Sequence, residues 1–129
     1  MRYVSTDKAP RAIGPYSQAV VIGKTMFVSG QIPLDPETGQ MVEGGIEEKT
    51  MRVLENLKAI LEAGGFTLRD VVKVTIFVTD MSNFSKINEV YSRYFTDHKP
   101  ARSFVAVAKL PRDAEIEIEA IAMKDEEGA

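Results

Sequence analysis

Between positions 46 and 63 the apolar residues fall at Ile46, Val53, Leu54, Leu57, Ile60 and Leu61, the spacing of one helical face. Gly44-Gly45 precede that stretch and Gly64-Gly65 end it, so a helix is predicted over Ile46 to Ala63. From Val71 to Thr79 the period shortens to two, and a strand is predicted with Val72, Val74, Ile76 and Val78 on one side. Helical spacing returns at Phe84, Ile87, Tyr91 and Phe95, with Ser82 placed to cap that helix. Two further strands are expected over Arg102 to Ala108 and Glu115 to Met123, joined by the turn signal Leu110-Pro111-Arg112-Asp113. Near the N-terminus, Ser17 to Ile22 and Thr25 to Ser29 flank Gly23-Lys24. Glycine at the first turn position suits a two-residue II′ hairpin.

This order predicts an α+β fold, a single mixed sheet with two helices packed on one face. The helices leave the other face bare. That face is expected to carry Thr75 and Phe77, one side of the last strand, and the side of the Arg102 strand holding Phe104, Ala106 and Ala108. Water should not wet such a surface, so self-association is expected, with sites between copies. The 129 residues read as one domain with a core of useful size.

Composition narrows the chemistry. With no cysteine and a single histidine, thiolate catalysis, disulfides and multi-histidine metal sites are excluded, and no metal ligand set is assigned. His98 lies in the polar run Thr96-Asp97-His98-Lys99, where a solvated ring is expected. A net charge of −3 gives no footprint for nucleic acid. No membrane span and no secretory leader are apparent, which makes the cytoplasm the default compartment. Few Asn and Gln and no Cys lean weakly towards a heat-tolerant protein.

Arg102 stands at the head of the apolar run Phe104 to Ala108, behind Pro100-Ala101. A guanidinium there needs a partner, and its planar fork fits a carboxylate. Either a Glu of the last strand or a substrate supplies it. Glu115, Glu117 and Glu119 alternate onto one side of their strand, and beyond Glu119 that side turns apolar. A carboxylate at such a border is expected to hold its proton more tightly, which suits acid–base work; a solvated edge strand explains Glu115 and Glu117 well and Glu119 less well. Asn88 interrupts the apolar stripe of the second helix, tying it either to a loop backbone or to a site. Gly14-Pro15-Tyr16 is a bend that would aim a phenol, and Ser29-Gly30-Gln31 would let backbone amides approach a ligand closely. No P-loop, Gly-x-Ser-x-Gly or dinucleotide fingerprint is present. An arginine for an anion and a glutamate for a proton fit hydrolysis of a small, electrophilic acid.

Four segments carry a wider likeness: Ala12-Ile13-Gly14-Pro15-Tyr16-Ser17-Gln18-Ala19, Val28-Ser29-Gly30-Gln31-Ile32-Pro33, Pro100-Ala101-Arg102-Ser103 and Ile116-Glu117-Ile118-Glu119-Ala120-Ile121-Ala122. With them the chain resembles the RidA (YjgF) family along essentially its whole length. The resemblance implies a chorismate-mutase-like α+β fold that assembles as a homotrimer with sites between subunits. It also implies hydrolysis of 2-imino acids, such as 2-iminobutanoate and 2-iminopropanoate, to 2-keto acids and ammonia, without a cofactor. These imines are by-products of pyridoxal-phosphate dehydratases. By motif, Arg102 corresponds to the arginine gripping the substrate carboxylate and Glu119 to the acid holding the attacking water. Tyr16 corresponds to a tyrosine from the neighbouring subunit, Ser29 and Gly30 to the pocket loop, and Asn88 to a helix residue beside it. Phe104 departs from the Cys, Thr or Val of many members and is expected to narrow the pocket. A non-catalytic trimer that binds small carboxylates is the alternative. A ribonuclease or translation inhibitor is a weaker one, set against the acidic charge balance.

Overall fold

A computed structural model describes residues 1–125. Six strands form one sheet: β1 (Arg2–Val4), β2 (Ala19–Ile22), β3 (Thr25–Gln31), β4 (Val71–Val78), β5 (Ala101–Ala106) and β6 (Ile116–Met123). Helices α1 (Ile46–Ala63) and α2 (Phe84–Tyr94) pack on one face of it. The spatial order is β1-β2-β3-β6-β4-β5, antiparallel throughout except between β4 and β5. A parallel pair needs a crossover, and α2 is that crossover. No helix among the described residues is long and apolar enough to cross a membrane.

The helical period of α1 is realised as predicted, with Val53, Leu54, Leu57, Ile60 and Leu61 fully buried. Its N-terminus is closed by the Glu48 carboxylate, which accepts the Gly45 amide at 2.9 Å. At the other end Gly65 N–H donates to Glu62 O and Phe66 N–H to Leu61 O, satisfying the last carbonyls. Gly23, at φ +58°, makes the predicted hairpin turn between β2 and β3.

Four expectations need correction. A bulge between Val71 and Lys73 shifts the phase of β4, so Val71 enters the core while Val72 faces outward. Asp80 rather than Ser82 caps the turn before α2, its carboxylate accepting the Ser82 amide at 2.9 Å. Phe84 sits at the surface, and the α2 stripe is Ile87, Val90 and Tyr91, followed by buried Phe95. The side of β5 carrying Arg102, Phe104 and Ala106 faces the helices, not the bare face. Its register with β4, Val74↔Arg102 and Ile76↔Phe104, puts these residues beside side chains that point into the core.

The bare face therefore carries Ser103 and Val105 from β5, Thr75 and Phe77 from β4, and Glu117, Glu119 and Ile121 from β6. Phe27 of β3, paired with Ile121, joins them and is exposed. Strand β1 extends the sheet at its far edge, three residues too short for a periodicity signal.

One buried polar side chain fixes the loop after β3 to α1. Asn56 is fully buried, donates to Leu34 O at 3.0 Å and accepts from Arg52 Nε at 3.1 Å. Asn56→Ala strands a buried carbonyl and should destabilise the fold by about 1–3 kcal/mol, read as a lowered urea midpoint with an unchanged slope.

Candidate active site

The residues predicted to act together fall into two clefts of the chain. The larger, about 640 Å³, is walled by the segment before β2, the end of β3, the turn before β6, and the outward side chains of β6. Tyr16, Ser29, Gly30 and Glu119 meet there, with Arg11, Arg112 and Glu117 beside them. The smaller, about 260 Å³, lies between α2 and the start of β5 and holds Asn88, Tyr91, Lys99 and Arg102.

Gln18 builds the first cleft. It is buried, its amide nitrogen donates to Pro10 O at 2.7 Å and Thr6 O at 3.0 Å, and its oxygen accepts the Thr6 amide at 2.7 Å. A loop with no regular structure is thus fastened to the sheet. Ser29 adds a second tie, its hydroxyl donating to Ser17 O at 2.6 Å. Tyr16 stands exposed at the rim, its hydroxyl accepting the Ile13 amide at 3.4 Å. Gly30 lies at a bulge in β3, and the absence of a side chain there leaves room for the Glu117 carboxyl. A Cβ there would come within 2.7 Å of the Glu117 carboxyl carbon.

Glu115, Glu117 and Glu119 do not share one environment as the alternation suggested. Glu115 precedes the strand and pairs with Lys49 at 2.8 Å. Glu119 is exposed and Glu117 half-buried. Burial pushes the Glu117 carboxyl above its ordinary range, and the neighbouring Glu119 charge adds to that. The carboxyl pushed towards its protonated form is therefore Glu117, two residues before Glu119 at the apolar border.

In the second cleft Arg102 is half-buried and donates from Nη1 to Asn88 Oδ1 at 2.8 Å. Asn88 thus ties α2 to the guanidinium, where a loop backbone was the other expectation. Three rings surround the charge: Tyr91 at 4.9 Å from the guanidinium carbon, Phe104 at 5.6 Å and Phe84 at 5.9 Å. Phe104 packs edge-on against Phe84 at 4.7 Å and does not line this cleft. Arg102 forms no ion pair with any described residue, so the salt bridge to the last strand is absent. Burial raises the Tyr91 phenol, with Arg102 opposing it, and the hydroxyl has no partner among the described residues.

The two clefts open on opposite faces of the sheet. Arg102 shares the helix side with Val74, while Glu119 pairs with Thr75 on the bare side, and β4 stands between their strands. Arg102 and Glu119 of one chain therefore cannot address the same small molecule. His98, expected to be solvated, is instead half-buried, its Nε2 3.0 Å from Val71 O and its ring edge-on to Phe95.

Sequence reasoning missed Gln18 and Glu117 as site builders. Nothing in periodicity marks Gln18, whereas the alternation that exposed Glu119 also held Glu117, and Gly30 was the sign of its crowding. Gln18→Ala should raise amide hydrogen exchange in residues 6–16 by roughly tenfold to a hundredfold while leaving α1 protected, since each lost bond of this kind is worth about 1 kcal/mol.

The family model described as Endoribonuclease L-PSP matches residues 6–124. A RutC family protein of Pyrococcus abyssi is 58% identical over 122 residues, covering 95% of this chain and 96% of that protein. A Mus musculus protein named 2-iminobutanoate/2-iminopropanoate deaminase is 49% identical over 123 residues, covering 95% of this chain and 91% of its own. A crystal structure from Thermotoga maritima superposes with a TM-score of 0.96 at 76% identity, covering 97% of this chain and 98% of that one.

Proposed function

Because the chain belongs to the endoribonuclease L-PSP family, the RidA family, we propose that it hydrolyses small 2-imino acids to 2-keto acids and ammonia. The observation that carries this reading is the state of Arg102. Its Nη1 is held by Asn88, aromatic faces surround it, and no carboxylate among the described residues pairs with it. Retaining a half-buried guanidinium in that condition is costly unless a ligand supplies the anion. A 2-imino acid does so, and the fork grips the carboxylate with charge-assisted hydrogen bonds.

In the mechanism we infer, the bound carboxylate fixes the neighbouring imine carbon, and water held by Glu119 attacks it. The carbinolamine collapses to the keto acid and ammonia. Protonated imines are already electrophilic, so positioning supplies most of the acceleration. Since Arg102 and Glu119 of one chain lie on opposite sheet faces, the complete site is assembled from two copies. Tyr16, Ser29, Gly30 and Glu119 come from one copy, and Arg102 and Asn88 from its neighbour. The exposed apolar residues Phe27 and Val105, with half-buried Phe77 and Ile121, favour burial of the bare face against other copies, which we take to form a homotrimer. A ribonuclease reading finds less support: the single histidine is spent on Val71 O and Phe95.

The test is a coupled assay in which a threonine dehydratase generates 2-iminobutanoate, semicarbazide competes for it, and keto-acid release is followed. Wild type should outrun semicarbazide. Arg102→Ala should lower kcat/KM by roughly 10²-fold, the equivalent of about 3 kcal/mol of charge-assisted bonding. Keto-acid binding by a wild type that never accelerates release would instead favour the non-catalytic carboxylate binder.

A further inference from the structure

The smaller cleft holds a cation beyond the one that grips the substrate carboxylate. Lys99, just after α2, lines it together with Arg102. We propose that the cleft carries two anion positions, Arg102 for the 2-carboxylate and Lys99 for a second carboxylate at the end of the side chain. The preferred substrate class is then the imines of acidic amino acids. This deepens the deaminase reading and rests on it.

The two cations are held alike. Arg102 Nη1 donates to Asn88 Oδ1 at 2.8 Å, and Lys99 Nζ donates to Phe95 O at 3.2 Å, where α2 ends. Both acceptors are neutral oxygens, so each cation is positioned with its charge uncancelled. No Asp or Glu lines the cleft, and neither cation forms an ion pair with a described residue. The acids nearest along the chain are engaged elsewhere, Glu89 by Arg93 at 3.7 Å and Asp97 by Arg69 at 2.8 Å. Burial favours the protonated Tyr91 phenol, which therefore adds no negative charge. Two like charges confined to about 260 Å³ repel each other, and a ligand with two negative groups relieves both at once.

The residue types divide the work. The planar Arg102 fork fixes the carboxylate next to the imine carbon, where geometry matters for the reaction. A lysine ammonium is a compact charge on a flexible stem, suited to a carboxylate at the far end of a short side chain. Lys99 is exposed, so its contribution is modest and sensitive to salt. A lysine at a helix C-terminus also complements the helix dipole, which explains its bond to Phe95 O. That bond alone does not explain why the ammonium shares a cleft with Arg102 and no acid.

The experiment measures kcat/KM of the full-length oligomer on two imines in the semicarbazide assay. A glutamate oxidase with catalase supplies 2-iminoglutarate, and threonine dehydratase supplies 2-iminobutanoate. Wild type should favour 2-iminoglutarate by roughly fivefold to tenfold, a preference that shrinks as salt is raised. Lys99→Met should abolish the preference and Lys99→Arg should keep it. A lysine that merely closes the helix end would instead alter thermal stability and leave the ratio unchanged. An active wild type without the preference, or a Lys99→Met variant that retains it, overturns this proposal alone. A wild type that outruns semicarbazide on neither imine overturns the deaminase reading. Calorimetry then decides the subsite: tighter binding of 2-oxoglutarate than of 2-oxobutanoate by wild type, lost in Lys99→Met, upholds it, and equal binding overturns it.

Discussion

The parallel pairing of β4 with β5 is the constraint on which the site depends. Its register sets Arg102 beside Val74 and so turns the guanidinium towards α2, away from every glutamate of β6. Had β5 slipped by one residue, Arg102 would have joined the bare face and Ser103 the core side. The sheet stands as a partition between the Arg102 guanidinium and the Glu117 and Glu119 carboxyls. Under the proposed function, a chain folded this way needs a second copy to complete its site.

The arginine is kept in place without being neutralised. A carboxylate from the same chain would have satisfied it more fully, but would also have competed with any substrate. Asn88 contributes a neutral hydrogen bond at 2.8 Å, and the Tyr91, Phe104 and Phe84 rings stabilise the charge without cancelling it. The guanidinium is thereby oriented in advance, which limits the entropy lost when a ligand binds. On the other side of the sheet, Gln18 and Ser29 do the equivalent for loops, holding irregular backbone against the regular frame with hydrogen bonds. Both half-sites thus owe their order to amides and hydroxyls and not to ion pairs.

The helices and the four long strands were legible because each buries one face, and burial imposes period 3.6 or 2 on the sequence. Legibility failed where a local irregularity reset the phase. The bulge at Val71–Lys73 sent Val72 outward, and Asp80 displaced Ser82 as cap because a short helical turn precedes α2. The side of the sheet on which Arg102 lies was misread for a related reason. Alternation tells which residues share a face, but only strand pairing tells which face it is. Residue types singled out Arg102 and Asn88, and Tyr16, Ser29, Gly30 and Glu119, but did not tell that the structure sets them in two separate clefts. Glu117 escaped because its distinction from Glu119 comes from Gly30, a contact far along the chain.

The most direct test of a site shared between copies is complementation. Arg102→Ala and Glu119→Gln chains, each inactive alone, are mixed in equal amounts, unfolded, refolded together and assayed on 2-iminobutanoate. Random assembly into trimers would make about three-quarters of them mixed, each with one intact site of three, so about a quarter of wild-type activity should return. A mixture as inactive as its parents, alongside wild type that refolds to full activity, would contradict the account by showing that Arg102 and Glu119 do not meet across a subunit boundary.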